Sequence, residues 1–501
     1  MEFVFTLLEN LGRVLAGLAL NPFYYAALLI AAVCYRRQVV LQRRLFHTRL
    51  HAPAGLFLHS LLWGWPAGLA VSVVASGTGL VINTATMLWV WAVSLALLLF
   101  RVRYFGTVYA AAAVILLHEA VRLFPVPRGM PAAGEWLAAL DDIHPPSLLA
   151  LTALLMAAEA LLVWLFGPRL SSPLYVDGKR GKTIGAYQWQ AFWALPMFLA
   201  VPAGSGAGLA EWLPWPRFFG EEAVWAAGWT LLAFPAALGF SGMSAASTPG
   251  RLARRGALAM LAAAAVLAAF SAAAELWPLS GVLAAAGAIA ALLFREWIVI
   301  AGDRRERDGK PLFVHEGKGL KVLAVVPGGP AAEMGIAPGE TIVRVNGRSV
   351  SSGEELHAAL RANPAFCKLE VSDLAGETRF AQRALFAGDH HQLGIVLCPD
   401  DRSASHIRWR PLTLPSLLAP LRGIARHPAS LAASSGGGEA PEKGEARTES
   451  GESREDRGRK ARLTAEPGQP PSEGAPQESE SVSSGEIAAA SAGGAEGRKR
   501  G

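Results

Sequence analysis

The chain has 501 residues, of which 52% are apolar and only 17% are charged. This balance favours a membrane protein over a soluble enzyme. The net charge of +6 comes from arginines clustered at the ends of apolar runs, so we expect no nucleic-acid partner. The three cysteines lack CxxC spacing, and we expect neither a disulfide framework nor a metal site.

Residues 1–300 carry the apolar runs and are predicted to form an α-helical, multi-pass transmembrane domain of about eight to ten helices. Each crossing needs about 20 apolar residues. Residues 1–20 form either a marginal span or an interfacial amphipathic helix. A shorter apolar run covers 22–35. The predicted longer spans are 54–75, 80–100, 104–121, 147–166, 189–203, 223–242, 256–274 and 277–294.

The loops between these spans alternate in charge. Loops on one side contain 18 Lys and Arg residues and those on the other contain three, when Arg13 and Arg295 are left out. Because cytoplasmic loops are enriched in Lys and Arg, the alternation predicts that residues from 311 onward are cytoplasmic. Free cysteines suit a reducing compartment. The predicted location is the cell membrane, with membrane lipid as a partner.

Two motifs in the apolar region suggest protease chemistry, but both are incomplete. His118-Glu119 begins an HExxH pattern, yet Arg122 stands where the second zinc ligand is needed. Gly239–Gly242 matches a GxSG motif, yet no predicted span after Ser241 contains a histidine to act as the base. We therefore expect His118 and Glu119 at the outer interface, Ser241 in a small-residue helix contact, and no catalytic residues.

Two other polar features are interpreted as structural. Glu159, in the middle of a span, belongs either to a proton path or to an interhelical hydrogen bond. The second is expected, because no charged partner is predicted in the other spans. Adjacent strand residues point to opposite faces, so His390-His391 is not expected to hold one metal ion.

Residues 311–400 are predicted to fold as a small α+β domain, a partly open β-barrel with two helices. Strand formers occur at Leu320–Val326 and Thr341–Gly347, separated by a PGGPA turn and a short helix. Ser352 begins a capping box of the form S-x-x-E at the start of a second helix. Lys368–Gln382 is predicted to form two strands around a tight turn.

This order of elements resembles a bacterial PDZ domain. The motifs are Pro330-Ala331-Ala332, Pro338-Gly339-Glu340 and Val345-Asn346-Gly347. The resemblance implies that a peptide ligand adds as a strand to Leu320–Val326, beside the second helix. Lys318 stands where PDZ loops commonly have an apolar residue, so the ligand is either acidic or an internal peptide. The candidate peptide-binding residues are Gly317, Lys318, Gly319, Leu320, Val322, Leu356 and Leu360. Alternatively, the domain only packs against the membrane part.

The remaining residues are predicted to lack a core of their own. Residues 401–433 form a linker with scattered Leu, Pro and Arg that contacts either the membrane surface or a partner. Residues 434–501 are rich in Gly, Ser, Glu and Arg and are predicted to form a disordered, low-complexity tail.

Residues 20–400 as a whole resemble the MinJ family of division-site selection proteins. The likeness rests on the polytopic first half, the PDZ-like domain and the segment FAQRALFAGDHHQLG. It implies a membrane-anchored adaptor at cell poles and septum that recruits division or polarity proteins, linking a DivIVA-like scaffold to a MinD-like ATPase and MinC. No enzyme activity and no cofactor are expected. The alternatives are an intramembrane protease with a regulatory PDZ domain and a transporter with a peptide-sensing domain.

Overall fold

The structure is a computed structural model. It describes residues 2–48, 50–124, 139–202, 218–220, 225, 228–315, 317–363, 365–384, 393–399, 405–407, 412–418 and 424–426. The predicted tail and the His390-His391 pair lie outside these residues. Residues 1–438 form one compact unit.

Eight α-helices are described before residue 309. They are α1 (Glu2–Ala19), α2 (Pro22–Phe46), α3 (Pro53–Thr78), α4 (Thr84–Leu98), α5 (Thr107–Leu123), α6 (Pro145–Phe166), α7 (Pro249–Leu276) and α8 (Ser280–Asp308). Helices α2, α3, α6, α7 and α8 are long and apolar enough to cross a membrane. Four of these five begin with proline, which suits the first helical turn. The first half is therefore a helical membrane domain, as predicted.

The described parts of two predicted spans, 189–203 and 223–242, form β-strands rather than helices. The strands are β1 (Ser171–Asp177), β2 (Thr183–Leu195), β3 (Phe198–Pro202), β4 (Trp229–Ala233) and β5 (Ala236–Ser244). Strand β2 pairs antiparallel with both β1 and β5, and β3 pairs with β4. Strands buried on both faces read as continuous apolar runs, so hydropathy alone does not distinguish them from membrane helices.

The hairpin of β2–β3 and β4–β5, here called the buried hairpin, runs through the helical domain. At one end Gly185 N–H donates to Phe313 O at 2.8 Å, next to the C-terminal domain. Beyond the opposite end, Phe218 N–H donates to Thr78 O at 3.0 Å, where α3 ends. A strand of the length of β2 extends about 43 Å, more than the hydrocarbon thickness of about 30 Å. The described strands of the hairpin thus occupy the part of the chain in which the sequence predicted two helical crossings.

Side chains of the surrounding helices complete the hydrogen bonding of the hairpin edges. Tyr35 Oη accepts from Phe192 N–H at 3.1 Å and donates to Phe192 O at 3.0 Å. Unpaired backbone groups inside a bilayer cost several kcal/mol each, so these contacts are required at that depth. Further N–H groups donate to helix hydroxyls, in the pairs Phe198 to Ser72, Ala200 to Ser76 and Ala237 to Thr107.

Two glycines let α3 approach the backbone of this hairpin. A Cβ atom at Gly64 would lie 2.7 Å from Ala194 O, and one at Gly68 would lie 2.2 Å from Pro196 O. Both distances are below normal van der Waals contact. The small-xxx-small spacing, which usually brings two membrane helices together, here brings a helix onto a strand.

Glu159 has a charged partner, contrary to the expectation from the sequence. Arg295 of α8 lies 2.5 Å from its carboxylate, and both side chains are buried. Arg295 also donates to Gly239 O at 2.8 Å. The ion pair therefore joins α6, α8 and β5 around an otherwise open backbone carbonyl. Arg295 was left out of the loop-charge comparison because it lies near the end of a span, and the sequence does not show which helix faces it.

The C-terminal domain follows α8. Its strands are β6 (Leu320–Val325), β7 (Thr341–Val345), β8 (Arg348–Ser349), β9 (Phe366–Ser372), β10 (Thr378–Ala384) and β11 (Ile395–Leu397), and its helices are α9 (Pro330–Glu333) and α10 (Gly353–Ala362). The sheet order is β10-β9-β7-β6-β11, with β8 paired to β7. The predicted small α+β domain is confirmed, with element bounds close to those expected.

Described parts of the predicted linker return to the membrane domain. They are β12 (Ser405–Ile407), α11 (Leu414–Leu418) and β13 (Ile424–Arg426). Strand β12 pairs in parallel with β1, and β13 pairs with β12. Leu412 O accepts from Val102 N–H at 3.1 Å. These segments extend the sheet that contains the buried hairpin.

Replacing Tyr35 with Phe tests the requirement for edge hydrogen bonds. We expect Tyr35→Phe to lower the free energy of unfolding by about 2 kcal/mol or more, because it leaves a buried N–H and a buried C=O unpaired. The thermal unfolding midpoint of the purified protein in detergent measures this. Tyr25→Phe is the matched control, since the Tyr25 side chain is 54% exposed and water replaces its bond to Ala19 O. Equal midpoints for the two variants would contradict the prediction.

Candidate functional site

The C-terminal domain forms its predicted local structure through turn glycines and a helix cap. Ser352 Oγ accepts from Glu355 N–H at 3.2 Å at the start of α10. The Glu355 carboxylate in turn accepts from the N–H and hydroxyl of Ser351, and these bonds lower the pKa of Glu355. Gly339, Gly347 and Gly376 adopt positive φ in the connections between strands. The core of this domain therefore forms as the sequence predicts.

The prediction that Leu320–Val326 is an edge strand is wrong. On one side, β6 pairs with β7, and Val322 N–H donates to Glu340 O at 2.8 Å. On the other side, β6 pairs with β11 through Ala324↔Val396 and neighbouring residues. Because both sides are occupied by the chain itself, a peptide does not add to this strand.

The candidate peptide-binding residues fall into two groups. Leu320, Val322, Leu356 and Leu360 are buried together in the core of the C-terminal domain. Gly317, Lys318 and Gly319 instead line a surface pocket with Thr341, Val343 and Glu355. A Cβ atom at Gly319 would lie 2.7 Å from Ile342 O, so a glycine is needed where the chain enters β6. The two groups do not line one groove.

Among the described strands, β11 is the edge of the sheet, beside α10. Val326 N–H donates to Gly394 O and Cys398 N–H donates to Lys321 O, so residues 394, 396 and 398 bond to β6. In an antiparallel pair the intervening residues, Ile395 and Leu397, direct their backbone groups outward. A Cβ atom at Gly353, where α10 begins, would lie 3.8 Å from the Leu397 side chain. The outer edge of β11 and the adjoining α10 form the candidate peptide groove, here called the β11 groove.

Sequence reasoning missed this strand because it is only three residues long, below the length at which periodicity is informative. The available signal is Leu393-Gly394-Ile395, where Gly394 has φ +73° and redirects the chain into β11. Leu393-Gly394 belongs to the segment on which the family resemblance rests. The chemical interpretation of that segment concerned His390-His391 as a possible metal site.

The sheet face behind the β11 groove packs against the membrane domain. Its buried residues cluster with residues that follow α2, lie on β2 and follow α8: Leu50, Tyr187, Phe313, Leu323, Ala324, Val396 and Cys398. Tyr187 Oη donates to Leu323 O. Tyr175 Oη donates to Leu397 O at 2.8 Å, on the outer side of β11. This contact surface, here called the dock, holds the domain in one orientation and fixes one end of the groove.

The cysteines have no reactive role in this arrangement. All three are free and buried. Burial raises the pKa of the Cys398 thiol to about 12 and that of the Cys367 thiol to about 11, so both are protonated at neutral pH. Cys398 lies in the dock, whereas Cys367 lies in the core of the C-terminal domain.

The residues considered for protease chemistry lie apart. His118 is buried near the end of α5, and its Nδ1 is 2.7 Å from Leu140 O, while its Nε2 is 3.7 Å from the Glu119 carboxylate. Ser241 lies on β5, so the expected small-residue helix contact is wrong. Within the described ranges, no group of three or more His, Cys, Asp or Glu side chains is placed to hold a metal ion.

Comparison with known proteins agrees with this architecture. Residues 321–371 match the PDZ domain family PDZ_6. The chain is 29% identical over 386 residues to the cell division topological determinant MinJ of Bacillus subtilis (strain 168). The match covers 76% of this chain and 94% of that protein.

Two shorter matches concern probable cell division topological determinants MinJ of Lacticaseibacillus paracasei and Lacticaseibacillus casei (strain BD-II). Each is 40% identical over 84 residues, which is 17% of this chain and 23% of the relative. The chain thus spans about a quarter of these two proteins. No solved structure matches the chain.

The dock can be tested by thiol labelling. A Cβ atom at Gly185 would lie 2.8 Å from the Leu323 side chain and 2.9 Å from Phe313, so Gly185→Val should separate the two surfaces. We expect maleimide labelling of Cys398 to become about tenfold faster or more, because exposure returns its pKa toward the ordinary value. Mass spectrometry of labelled full-length protein gives the rates at each cysteine.

Two controls accompany this experiment. Gly250→Val adds the same side chain where a Cβ meets nothing within 4 Å, and it should leave the labelling of Cys398 unchanged. Cys367 should stay unlabelled throughout, which shows that the C-terminal domain remains folded. Fast labelling of Cys398 without any substitution would contradict the dock.

Proposed function

The chain is a MinJ-like membrane protein with a PDZ domain, and on this premise we propose that it is a membrane-anchored adaptor in the selection of the cell division site. Similarity to a topological determinant over 94% of that protein supports this function. The adaptor acts through binding rather than catalysis.

The observation that carries the proposal is the β11 groove. A peptide adds to Ile395–Leu397 as a further strand, with backbone hydrogen bonds supplying affinity and α10 supplying side-chain contacts. Tyr175 already bonds Leu397 O at 2.8 Å, so the bound strand pairs mainly with Ile395 and with Leu397 N–H. Confinement to the membrane raises the local concentration of both partners, which makes a short peptide contact sufficient.

The proposed partners are proteins of division and polarity. By resemblance to the MinJ family, the PDZ domain and the membrane domain connect a DivIVA-like scaffold to a MinD-like ATPase, at poles and septum. The dock contributes to this role by presenting the β11 groove in a fixed direction relative to the bilayer. Two bound proteins are then held in a constant geometry at the membrane surface.

The PDZ domain is proposed to face the cytoplasm. The loop charges support this orientation. The buried hairpin has two strands where two helical crossings were predicted, so the side of the membrane on which residue 311 lies does not change. The basic segments at Arg36-Arg37, at Lys179–Lys182 and at Arg304–Lys310 then lie on the PDZ side.

Cysteine labelling in intact cells tests the orientation. The exposed residues Asp141 and Glu354 lie between α5 and α6 and on α10, respectively. We expect Asp141→Cys to react with a membrane-impermeant maleimide in intact cells, and Glu354→Cys to react only after permeabilisation. The reverse pattern would refute the proposed orientation. The native cysteines, which are buried, provide the background.

A proline in the β11 groove tests the adaptor function. Ile395→Pro removes an outward N–H but no hydrogen bond to β6, so the domain should stay folded while a bound strand loses a donor. We expect recruitment of fluorescent division proteins to the septum, and their retention by the purified full-length protein, to fall about tenfold or more.

The matched control for this experiment is Phe380→Ala. Phe380 is 64% exposed on β10, the opposite edge of the sheet. Protection of Cys367 from maleimide verifies folding in both variants. Undiminished recruitment by Ile395→Pro, with Cys367 protected, would exclude the β11 groove as the partner site.

A further inference from the structure

A groove between α7, α8 and β5 lies at the end of the membrane domain nearest the PDZ domain. Its floor includes Ser241 and Met243 of β5, and its walls include Leu252 and Arg255 of α7 and Trp297 and Arg305 of α8. We call this the α7–α8 groove. It is separate from the β11 groove and from the dock.

The floor of the α7–α8 groove is an open strand edge. Along β5, Ala237 N–H donates to Thr107 and Gly239 O accepts from Arg295, and beyond the strand Ala245 N–H donates to Glu306. Alternate residues direct their backbone groups to the same side, so Ser241 and Met243 face the groove. Neither has a hydrogen-bond partner on this side among the described residues. Both residues are half-buried, so their outward N–H groups are available to donate to a ligand.

The mouth of the groove carries two arginines that are free to bind an anion. Arg255 and Arg305 are exposed, and no carboxylate partner of either lies among the described residues. The acidic residues nearby are already engaged. Glu306 accepts from the N–H groups of residues 245–247, and Asp303 lies 3.5 Å from Arg307. Asp303 and Glu306 also line the groove, but their carboxylates are engaged within the protein, so the two exposed guanidinium groups are the charges available to a ligand at its mouth.

The walls of the groove are apolar and face lipid. Trp297 is 59% exposed and Leu252 is half-buried, on two helices that are long enough to cross the membrane. Along α8, Trp297 lies about 12 Å deeper than Arg305, so a cation near the headgroups stands above an apolar surface, which matches an amphipathic ligand.

We propose that the α7–α8 groove binds an anionic phospholipid of the leaflet on the PDZ side. The phosphate lies at Arg255 and Arg305 and accepts from the open N–H groups of β5, and an acyl chain lies against Trp297 and Ala259, which is one helical turn deeper than Arg255. A lipid in this position supplies an acceptor to N–H groups of β5 that no described helix side chain reaches.

Trp297 provides the measurement. The full-length protein is reconstituted in phosphatidylcholine with increasing amounts of dibrominated phosphatidylglycerol, or of dibrominated phosphatidylcholine as the zwitterionic reference. Bromine quenches adjacent tryptophan, and subtracting the same titration of Trp297→Phe isolates the signal of Trp297. We expect the brominated phosphatidylglycerol to half-saturate quenching at about a tenfold lower mole fraction than the reference.

Matched variants assign the preference to this groove. Arg255→Gln with Arg305→Gln should abolish it, whereas Arg251→Gln with Arg254→Gln, an equal change of charge at exposed positions of α7 outside the groove lining, should preserve it. Gly302→Leu should reduce quenching by either lipid, because a Cβ there meets nothing within 4 Å and the longer side chain fills the groove. Thermal unfolding midpoints verify that each variant is folded.

Three outcomes would overturn the proposal. One is equal quenching by the two brominated lipids, which would leave a protein segment as the occupant of the β5 edge. Another is an equal loss of preference in both double variants, which would mean that lipid binds to surface charge in general. The third is full quenching in folded Gly302→Leu. None of these depends on the adaptor function, which the Ile395→Pro experiment tests separately.

Discussion

The structure depends on the hydrogen bonding of a β-hairpin that lies inside a membrane domain. A strand pair has two open edges, and lipid offers no partner to either. The helices supply the partners instead, through Tyr35, Ser72, Ser76, Thr107 and Arg295. These polar residues lie on separate apolar helices, and each of them provides a hydrogen-bond partner to the backbone of the hairpin. The same requirement explains the burial of Glu159, which neutralises the arginine that bonds to β5.

The buried hairpin also connects the membrane domain to the PDZ domain. Phe192, whose backbone bonds to Tyr35, and Tyr187, whose hydroxyl bonds to the PDZ domain, lie on the same strand. A strand that is paired on both sides at its start and enclosed by helices further on is a rigid connection. The PDZ domain is thus attached to a fixed element rather than to a flexible linker, and its free sheet edge points in one direction.

Much of the fold could be predicted because it rests on local chemistry. The capping box at Ser352, the turn glycines and the strand formers define the PDZ elements within a few residues of their observed bounds. The strands at 183–202 and 229–244 could not be recognised, because residues such as Trp193 and Leu238 give the same apolar signal in a buried strand as in a membrane helix. The groove was misplaced for a different reason, since the partner of β6 comes from Ile395–Leu397, about seventy residues later in the chain.

The sequence by itself determined the class of the protein, the alternation of its charged loops and the presence of a PDZ domain. These follow from composition, hydropathy and short motifs, all of which are local properties of the chain. Only the tertiary structure decided which described strand lies at the edge of the PDZ sheet, which cation faces Glu159 and that Ser241 and Met243 have no hydrogen-bond partner within the described ranges. Each of these depends on which distant segment of the chain provides a hydrogen-bond partner. In the low-dielectric interior of a membrane an unpaired polar group costs much free energy, so these pairings decide the arrangement.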